Sequence, residues 1–482
     1  MASDARRLAA NVAAGFAGRG GLLLLGLASV TISTRYLGTD GYGRVSLAFS
    51  LTALFGVLGD AGLTTIVVRE LARAQARASV VVGSALALRA WLSLASVVAA
   101  MATALALPYP RDVRVAVVIA GVPLALGLAN STFAAVLQAG LHGWRLASAD
   151  LAGRAAAVAA VAVTAALDLG FYAIVAAAGV GAAVTLALTS GLARPLLPGP
   201  PERDRALGRP LLRAALPVGA VLAVNEAYFR ADALIISLAR PFEELGQYAL
   251  AWRMSELAGT VPAVLLAATF PVIARYAAQE DPRLRPVLQA GADVLLLAGA
   301  ALAVGGALVA PQLARALGGD EFAGAAGPMR VLLCAAAVGF LSGLLGHALI
   351  ARELQSRLLW LSLAALILNV GLNAALVPGL GIRAAAWVAL GCEALLLTGS
   401  VVLVRRHFGW LPSPRLAGRV AVASAVMATA VWPLRSSGLW LSIPVGAAAY
   451  LGSLAALGVH RRLPLEALRR GRASGGRRSG GG

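Results

Sequence analysis

Twelve charged side chains sit inside stretches of this sequence that are otherwise apolar. Six are basic, Arg19, Arg89, Arg154, Arg230, Arg253 and Arg330, and six are acidic, Asp60, Glu226, Asp232, Glu256, Asp293 and Glu393. A charge near the centre of a bilayer costs about 2.5–3.5 kcal/mol on insertion scales, so it faces a partner or a water-filled cavity. A guanidinium offers a planar fork of donors that takes phosphate oxygens in pairs. The arginines are therefore candidate cavity ligands for an anionic, phosphate-bearing group, and the acids candidate sites for a coupling cation. Spacing supplies a competing reading. Glu226 and Arg230 stand four apart and Arg253 and Glu256 three apart, so each couple can close an ion pair along one helix. Arg19 and Asp60 lie at similar depth, about 15 Å from the ends of their spans, and are expected to pair across the first two. Divided at mid-chain, the first half carries Arg19, Arg89 and Arg154 against Asp60, whereas acids outnumber arginines in the second. That asymmetry predicts a polar path with a cationic first half, in which replacing Arg19, Arg89 or Arg154 by Ala lowers transport and spares insertion.

The other polar residues point less sharply. Asn369 and Asn373 share a helix face at i, i+4 and either line the cavity or tie helices together, the second being the better fit to amides in lipid. His347 is expected as a packed neutral side chain. Pro123, Pro217, Pro262 and Pro271 fall in spans and predict kinks. Cys334 and Cys392 lie in apolar stretches, with no metal-ligand spacing and no disulfide framework. No nucleophile–base constellation is present, and a phosphate-binding loop of the GxxxxGK[ST] type is impossible because the chain has no Lys. The sequence implies no cofactor, no metal and no enzyme activity.

The elements that carry these residues are long apolar helices. Of 482 residues 59% are hydrophobic and 13% charged, about half the charge of a soluble domain, and the mean hydropathy is +0.81. Runs of about twenty apolar residues recur throughout, and in lipid such runs must be helical, because a helix satisfies its own backbone polar groups. Fourteen spans are predicted, at 11–34, 44–68, 79–107, 113–138, 147–168, 171–193, 211–239, 247–274, 286–313, 325–350, 358–377, 381–404, 416–434 and 439–458. All 41 basic residues are Arg, and the net charge is +19. Such a charge suggests nucleic acid in a soluble domain, but here 27 arginines fall in loops on one side and 8 on the other. The positive-inside rule then places both termini in the cytoplasm and excludes a nucleic-acid partner. The Arg/Gly/Ser-rich segment 459–482 is expected to be a disordered basic cytoplasmic tail beside membrane lipid.

A faint repeat organises the chain. Gly43-Arg-Val-Ser-Leu-Ala-Phe49 opens the second span, and Gly246-Gln-Tyr-Ala-Leu-Ala-Trp252 opens the eighth. Six spans separate them, so the halves share one orientation. The expected fold is an all-α integral membrane protein with two six-helix lobes in parallel repeat, 1–193 and 211–404. A Pro- and Arg-rich cytoplasmic linker, 194–210, joins them, and a terminal helix pair follows at 405–458.

With these motifs in place, the sequence resembles the polysaccharide flippases of the multidrug/oligosaccharidyl-lipid/polysaccharide (MOP) exporter superfamily. The resemblance rests on Arg35-Tyr-Leu-Gly-Thr-Asp-Gly-Tyr-Gly43, Ala48, Asp60-Ala-Gly-Leu63 and Val68-Arg-Glu-Leu-Ala-Arg73. It continues with Arg230-Ala-Asp232, Gly246-Gln-Tyr248, Ala251, Asn369, Asn373, Pro378-Gly-Leu-Gly-Ile382 and Ala384-Ala-Ala386. It implies alternating access between two lobes and outward transfer of a lipid-diphosphate-linked oligosaccharide. It also implies a cavity Arg at Arg19, an Arg/Asp couple at Arg230 and Asp232, and a place in a bacterial plasma membrane beside other polysaccharide-assembly proteins. Three alternatives remain open at this level: a lipid-linked peptidoglycan-precursor flippase, a drug/cation antiporter of the same superfamily, and a membrane glycosyltransferase or polymerase. The last lacks the sizeable loop or acidic metal cluster such enzymes need.

Overall fold

A computed structural model describes the backbone over residues 2–73, 75–435 and 437–459, and side chains over residues 20–73, 76–435 and 437–459. The described chain is helical throughout: α1 (Ala2–Asp60), α2 (Leu63–Arg73), α3 (Ala78–Ala106), α4 (Arg111–Ala139), α5 (Gly143–Ala166), α6 (Phe171–Ala193), α7 (Arg205–Ala239) and α8 (Phe242–Ala258), then α9 (Thr260–Ala278), α10 (Leu284–Ala301), α11 (Ala307–Gly318), α12 (Ala326–Ala351), α13 (Gln355–Leu380), α14 (Ile382–Phe408), α15 (Ala417–Val431) and α16 (Leu439–Ala456). Thirteen helical stretches of the described residues are long and apolar enough to cross a membrane. The first of them, Gly20–Arg73, holds two of the fourteen expected spans, because α1 is interrupted at Gly38 (φ 65°). The Arg19 side chain and the 460–482 tail lie outside what is described.

The chain forms two compact units, Met1–Gly246 and Gln247–Gly482. This boundary differs from the lobes expected at 193 and 211, because α7 packs against α1, α2 and α3 in the first unit. The linker goes with it. Ser79 Oγ donates to the Gly199 carbonyl at 2.7 Å and accepts from the Gly199 N–H at 3.0 Å. Five residues on, Ser84 Oγ repeats the pattern with Asp204, donating at 3.2 Å and accepting at 3.0 Å. The segment read as a free connection is a strap fastened along the start of α3.

Within the first unit one crossing has no side chain in it. A Cβ on Gly43 would stand 2.1 Å from the Phe242 carbonyl oxygen and 2.9 Å from the Gly246 nitrogen. A Cβ on Gly246 would stand 2.0 Å from the Thr39 carbonyl oxygen and 3.1 Å from the Gly43 nitrogen. Each glycine thus meets the other and the carbonyl four residues before it. These are the first residues of the two repeated heptapeptides, so the sequence repeat is matched by a reciprocal contact. Repetition also shows in two turns six spans apart. Gly170 (φ 85°, ψ −179°) starts α6 and Gly381 (φ 67°, ψ −161°) starts α14, a conformation essentially reserved for glycine.

The second unit is built on α12, which packs against α9, α10, α11 and α14. Its core joins Leu266, Ile273, Leu288, Leu295, Phe340 and Leu344. Between α10 and α11 lies a π-helical turn, Leu302–Gly306, where Gly305 touches Met427 of α15 and Gly306 touches Leu333 of α12. Three side chains fasten α15 and α16 to this spine. Gln289 accepts from the Ser413 N–H at 2.8 Å and donates to the Ser413 carbonyl at 3.3 Å. Tyr450 donates to the Leu297 carbonyl at 2.8 Å, and Gln312 donates to the Leu434 carbonyl at 3.1 Å and to Ser442 at 3.2 Å.

Candidate transport site

In the first unit the break between α1 and α2 places Asp60 beside the buried face of α3. Arg89, 1% exposed, sends one amino nitrogen to Asp60 Oδ1 at 2.6 Å and to Thr64 Oγ1 at 2.7 Å. Its other amino nitrogen donates to the Leu128 carbonyl at 2.7 Å, to Thr132 Oγ1 at 3.0 Å and to Ser131 Oγ. Thr64 Oγ1 also donates to Asp60 Oδ1 at 2.5 Å. A buried guanidinium is costly unless its charge is paired and its donors used; α1, α2 and α4 supply partners for both amino nitrogens of Arg89, while its Nε has none among the described residues. This corrects two expectations. Asp60, expected to pair with Arg19, is engaged by Arg89, and Arg89, expected as a cavity cation, has both amino nitrogens occupied by acceptors of the protein itself.

Arg154 is different. It is exposed on α5, and Asp150, one turn earlier, lies close enough to feel its charge. Leu151, on the same helix face at i−3, meets the Gly21 position of α1. On α7, Arg230 Nε donates to Glu226 Oε1 at 2.8 Å, with both side chains a little over a quarter exposed. Asp232, two residues further, is buried and engaged.

In the second unit Arg253 and Glu256 pair at 2.5 Å along α8 and remain partly exposed. Both intrahelical pairs anticipated from spacing are therefore formed. Asp293 is buried on α10, where Gln289 donates to its Oδ1 at 2.7 Å. Glu393 of α14 packs on α12, 3.1 Å from the Cβ position of Gly339, with Ser342 Oγ at 3.5 Å. Asn369 and Asn373 are buried on the α13 face that includes Ala365, whose carbonyl accepts from Cys392 of α14. That places both amides at a helix contact. His347 bonds the Gly343 carbonyl through Nδ1 at 2.8 Å and stands edge-on to Phe270, as a packed histidine would.

With α7 in the first unit, the charge asymmetry expected between halves narrows among the described residues to a balanced first unit and one acid in excess in the second. Arg89, Arg154 and Arg230 stand with Asp60, Glu226 and Asp232. Three residues were missed: Asp150, detectable as an acid four before Arg154, and Thr64 and Ser131, for which the sequence carries no signal. The site offers partly exposed guanidiniums, each with a carboxylate one helical turn away. Such couples can exchange an internal partner for a ligand phosphate without leaving a bare charge. No group of three or more metal-ligating side chains occurs among the described residues.

Two compact units of membrane-length helices, with ionised side chains held inside them, define a polytopic membrane transporter. The profile of the polysaccharide biosynthesis protein family matches residues 8–277, and the chain belongs to that family, within the MOP superfamily. A second profile, MatE, matches residues 217–375. Solved structures show the same fold at low identity. A lipid II flippase, MurJ, in an inward closed conformation matches with a TM-score of 0.75 and 10% identity over 92% of this chain and 98% of that one. An inward-facing multidrug resistance MATE family transporter gives 0.62 and 18% over 80% and 94%. The Vibrio cholerae MATE transporter VcmN gives 0.55 and 13% over 81% and 96%. No curated protein matches in sequence.

Proposed function

We propose that this transporter moves a lipid-diphosphate-linked oligosaccharide from the cytoplasmic to the outer leaflet of a bacterial plasma membrane, for cell-surface polysaccharide. Both termini face the cytoplasm in this reading, on the strength of the arginine bias between loops. The observation that carries it is the set of accessible guanidiniums within membrane spans, Arg154, Arg230 and Arg253, in a chain whose family profile is that of polysaccharide biosynthesis. Arg19 joins them from the sequence. Each matches a diphosphate by geometry and charge. Arg89 has no part in ligand binding, and its effect on transport is through the fold. The acids Glu226, Glu256, Asp232, Asp293 and Glu393 are the positions for cation coupling, with Asn369 and Asn373 beside Cys392 as structural amides. Outward movement of a negative headgroup runs with an inside-negative potential, about 2.3 kcal/mol per charge per 100 mV.

The test is the leaflet distribution of lipid-linked oligosaccharide in cells depleted of the protein. Intermediates held on the cytoplasmic face, released by wild type and not by Arg154→Ala or Arg19→Ala at equal membrane abundance, support the reading. Normal outward delivery in depleted cells discards it. Accumulated peptidoglycan precursor or cationic drug in those cells would move the assignment to a sister branch of the superfamily.

A further inference from the structure

The start of α7 carries three arginines at i, i+4 and i+8, Arg205, Arg209 and Arg213, all exposed. Side chains at this spacing lie on one helix face, neighbours about 5–6 Å apart at Cβ, and the three span about 12 Å along the axis. None of them has a hydrogen-bonding, ionic or ring partner among the described residues. A separate face of the helix is the packed one. Leu211, Ala215 and Gly219 are buried, and Gly219 presses against the Ala61 carbonyl at the start of α2.

Further along the same outward stripe the chemistry changes at one step. After Arg213 come Leu216, 53% exposed, and Ala220, also exposed, and Val221 beside them is 45% exposed. A stripe that is cationic for two turns and then apolar has the polarity of a headgroup above an acyl chain. The strap holds this pattern in place. Ser79 and Ser84 fix Gly199 and Asp204 to α3, and Asp204 Oδ1 caps α7 by accepting from the Ala206 N–H at 2.8 Å. Arg194 and Arg203 on the strap are exposed as well, and the nearby acids, Glu202 and Asp204, leave an excess of three positive charges.

We infer that this stripe is a docking site for an anionic glycerophospholipid of the surrounding leaflet. Its phosphate lies among Arg205, Arg209 and Arg213, and its acyl chain lies along Leu216 and Ala220. Positive charge in loops explains an arginine count but not a register. Three arginines on one face, in line with an apolar track, form a site of definite shape. The inference stands apart from the transported substrate.

The full chain in detergent, titrated with phosphatidylglycerol and with phosphatidylcholine and followed by native mass spectrometry, tests it. Wild type is expected to bind the first phosphatidylglycerol about tenfold more tightly than phosphatidylcholine. Arg205→Gln/Arg209→Gln/Arg213→Gln should bring the two lipids within about twofold. Arg405→Gln/Arg406→Gln/Arg415→Gln, which removes the same charge elsewhere on that side, should keep the wild-type preference. Equal loss in both triple variants, or no loss in the first, overturns the site. Full displacement of the lipid by soluble glycerol phosphate would also overturn it, since the apolar track would then contribute nothing. Arg209→Gln alone, expected to lose about half the preference on a logarithmic scale, serves if the triple variant does not fold.

Discussion

Arg89 reaches Asp60 at 2.6 Å from a position almost wholly closed to solvent, and so ties α3 to the point where α1 ends. The same guanidinium bonds a backbone carbonyl and two hydroxyls of α4. The pair is thus a joint among four helices, and its loss should be felt first in the stability of the first unit.

Asp60→Asn leaves a buried guanidinium uncompensated, a change that costs about 3–5 kcal/mol for buried pairs. Arg89→Ala removes a node with five acceptors. Both should lower the thermal unfolding temperature and the amount of protein in membranes, and any loss of transport should follow abundance. Asp60→Leu/Arg89→Met should recover part of the stability, because replacing both members of a buried pair is far milder than removing one. Thermal scans of the purified variants decide this. A stable Arg89→Ala protein that fails only in transport would return Arg89 to the ligand path.

Gly43→Ala and Gly246→Ala each put a methyl group into a backbone carbonyl, at 2.1 and 2.0 Å, so helix must move. Each should cost about 1–3 kcal/mol. The double variant should cost less than the two together, because one displacement makes room for both methyl groups. Unfolding of the four proteins of the cycle measures the coupling, and strict additivity would mean that the two clashes are separate.

Gln289 grips both backbone polar groups of Ser413, so Gln289→Leu strands them at a cost of about 1–3 kcal/mol. The effect should be local. Hydrogen exchange is expected to speed up over residues 411–417 at the entry to α15, with α5 and α6 unchanged. Protection lost uniformly over the chain would contradict a local anchor.

Asp281, in the turn between α9 and α10, takes hydrogen bonds from the side chain and backbone of Arg283. These hold its carboxyl below the usual carboxylate range. A depressed folded-state pKa stabilises the turn fully above the ordinary value of 3.8 and loses that contribution as pH falls below it. Exchange protection at Leu284, corrected for the intrinsic rate, should be flat from pH 7 to about 5 and decline below 4. Asp281→Asn should abolish the dependence.

Much of this architecture is legible in the residues themselves. Apolar runs locate the helices because lipid forbids other backbone arrangements, and the Gly43 and Gly246 heptapeptides mark a repeat that the fold honours. The i, i+4 couple at Glu226 and Arg230 and the i, i+3 couple at Arg253 and Glu256 follow from helix geometry alone. What distance along the chain conceals is long-range choice. Asp60 and Arg89 lie 29 residues apart, and only packing brings them together. The 194–210 segment has the composition of a free linker, and its attachment depends on two serines of α3 that look ordinary in sequence. The assignment of α7 to the first unit is decided by small residues, Gly62 against Gly219, which carry no charge or motif to announce it.

The π-turn at Leu302–Gly306 is also an arithmetic device. One extra residue in a helix advances everything beyond it by about 100° around the axis. Without it, α10 and α11 would share a single phase, and Gln312 would point about a quarter-turn away from Leu434 and Ser442. The long helix can therefore meet both α12 and the final hairpin in a different phase on each side of the turn. A deletion of one residue at Gly305 would leave both faces chemically intact and misaligned.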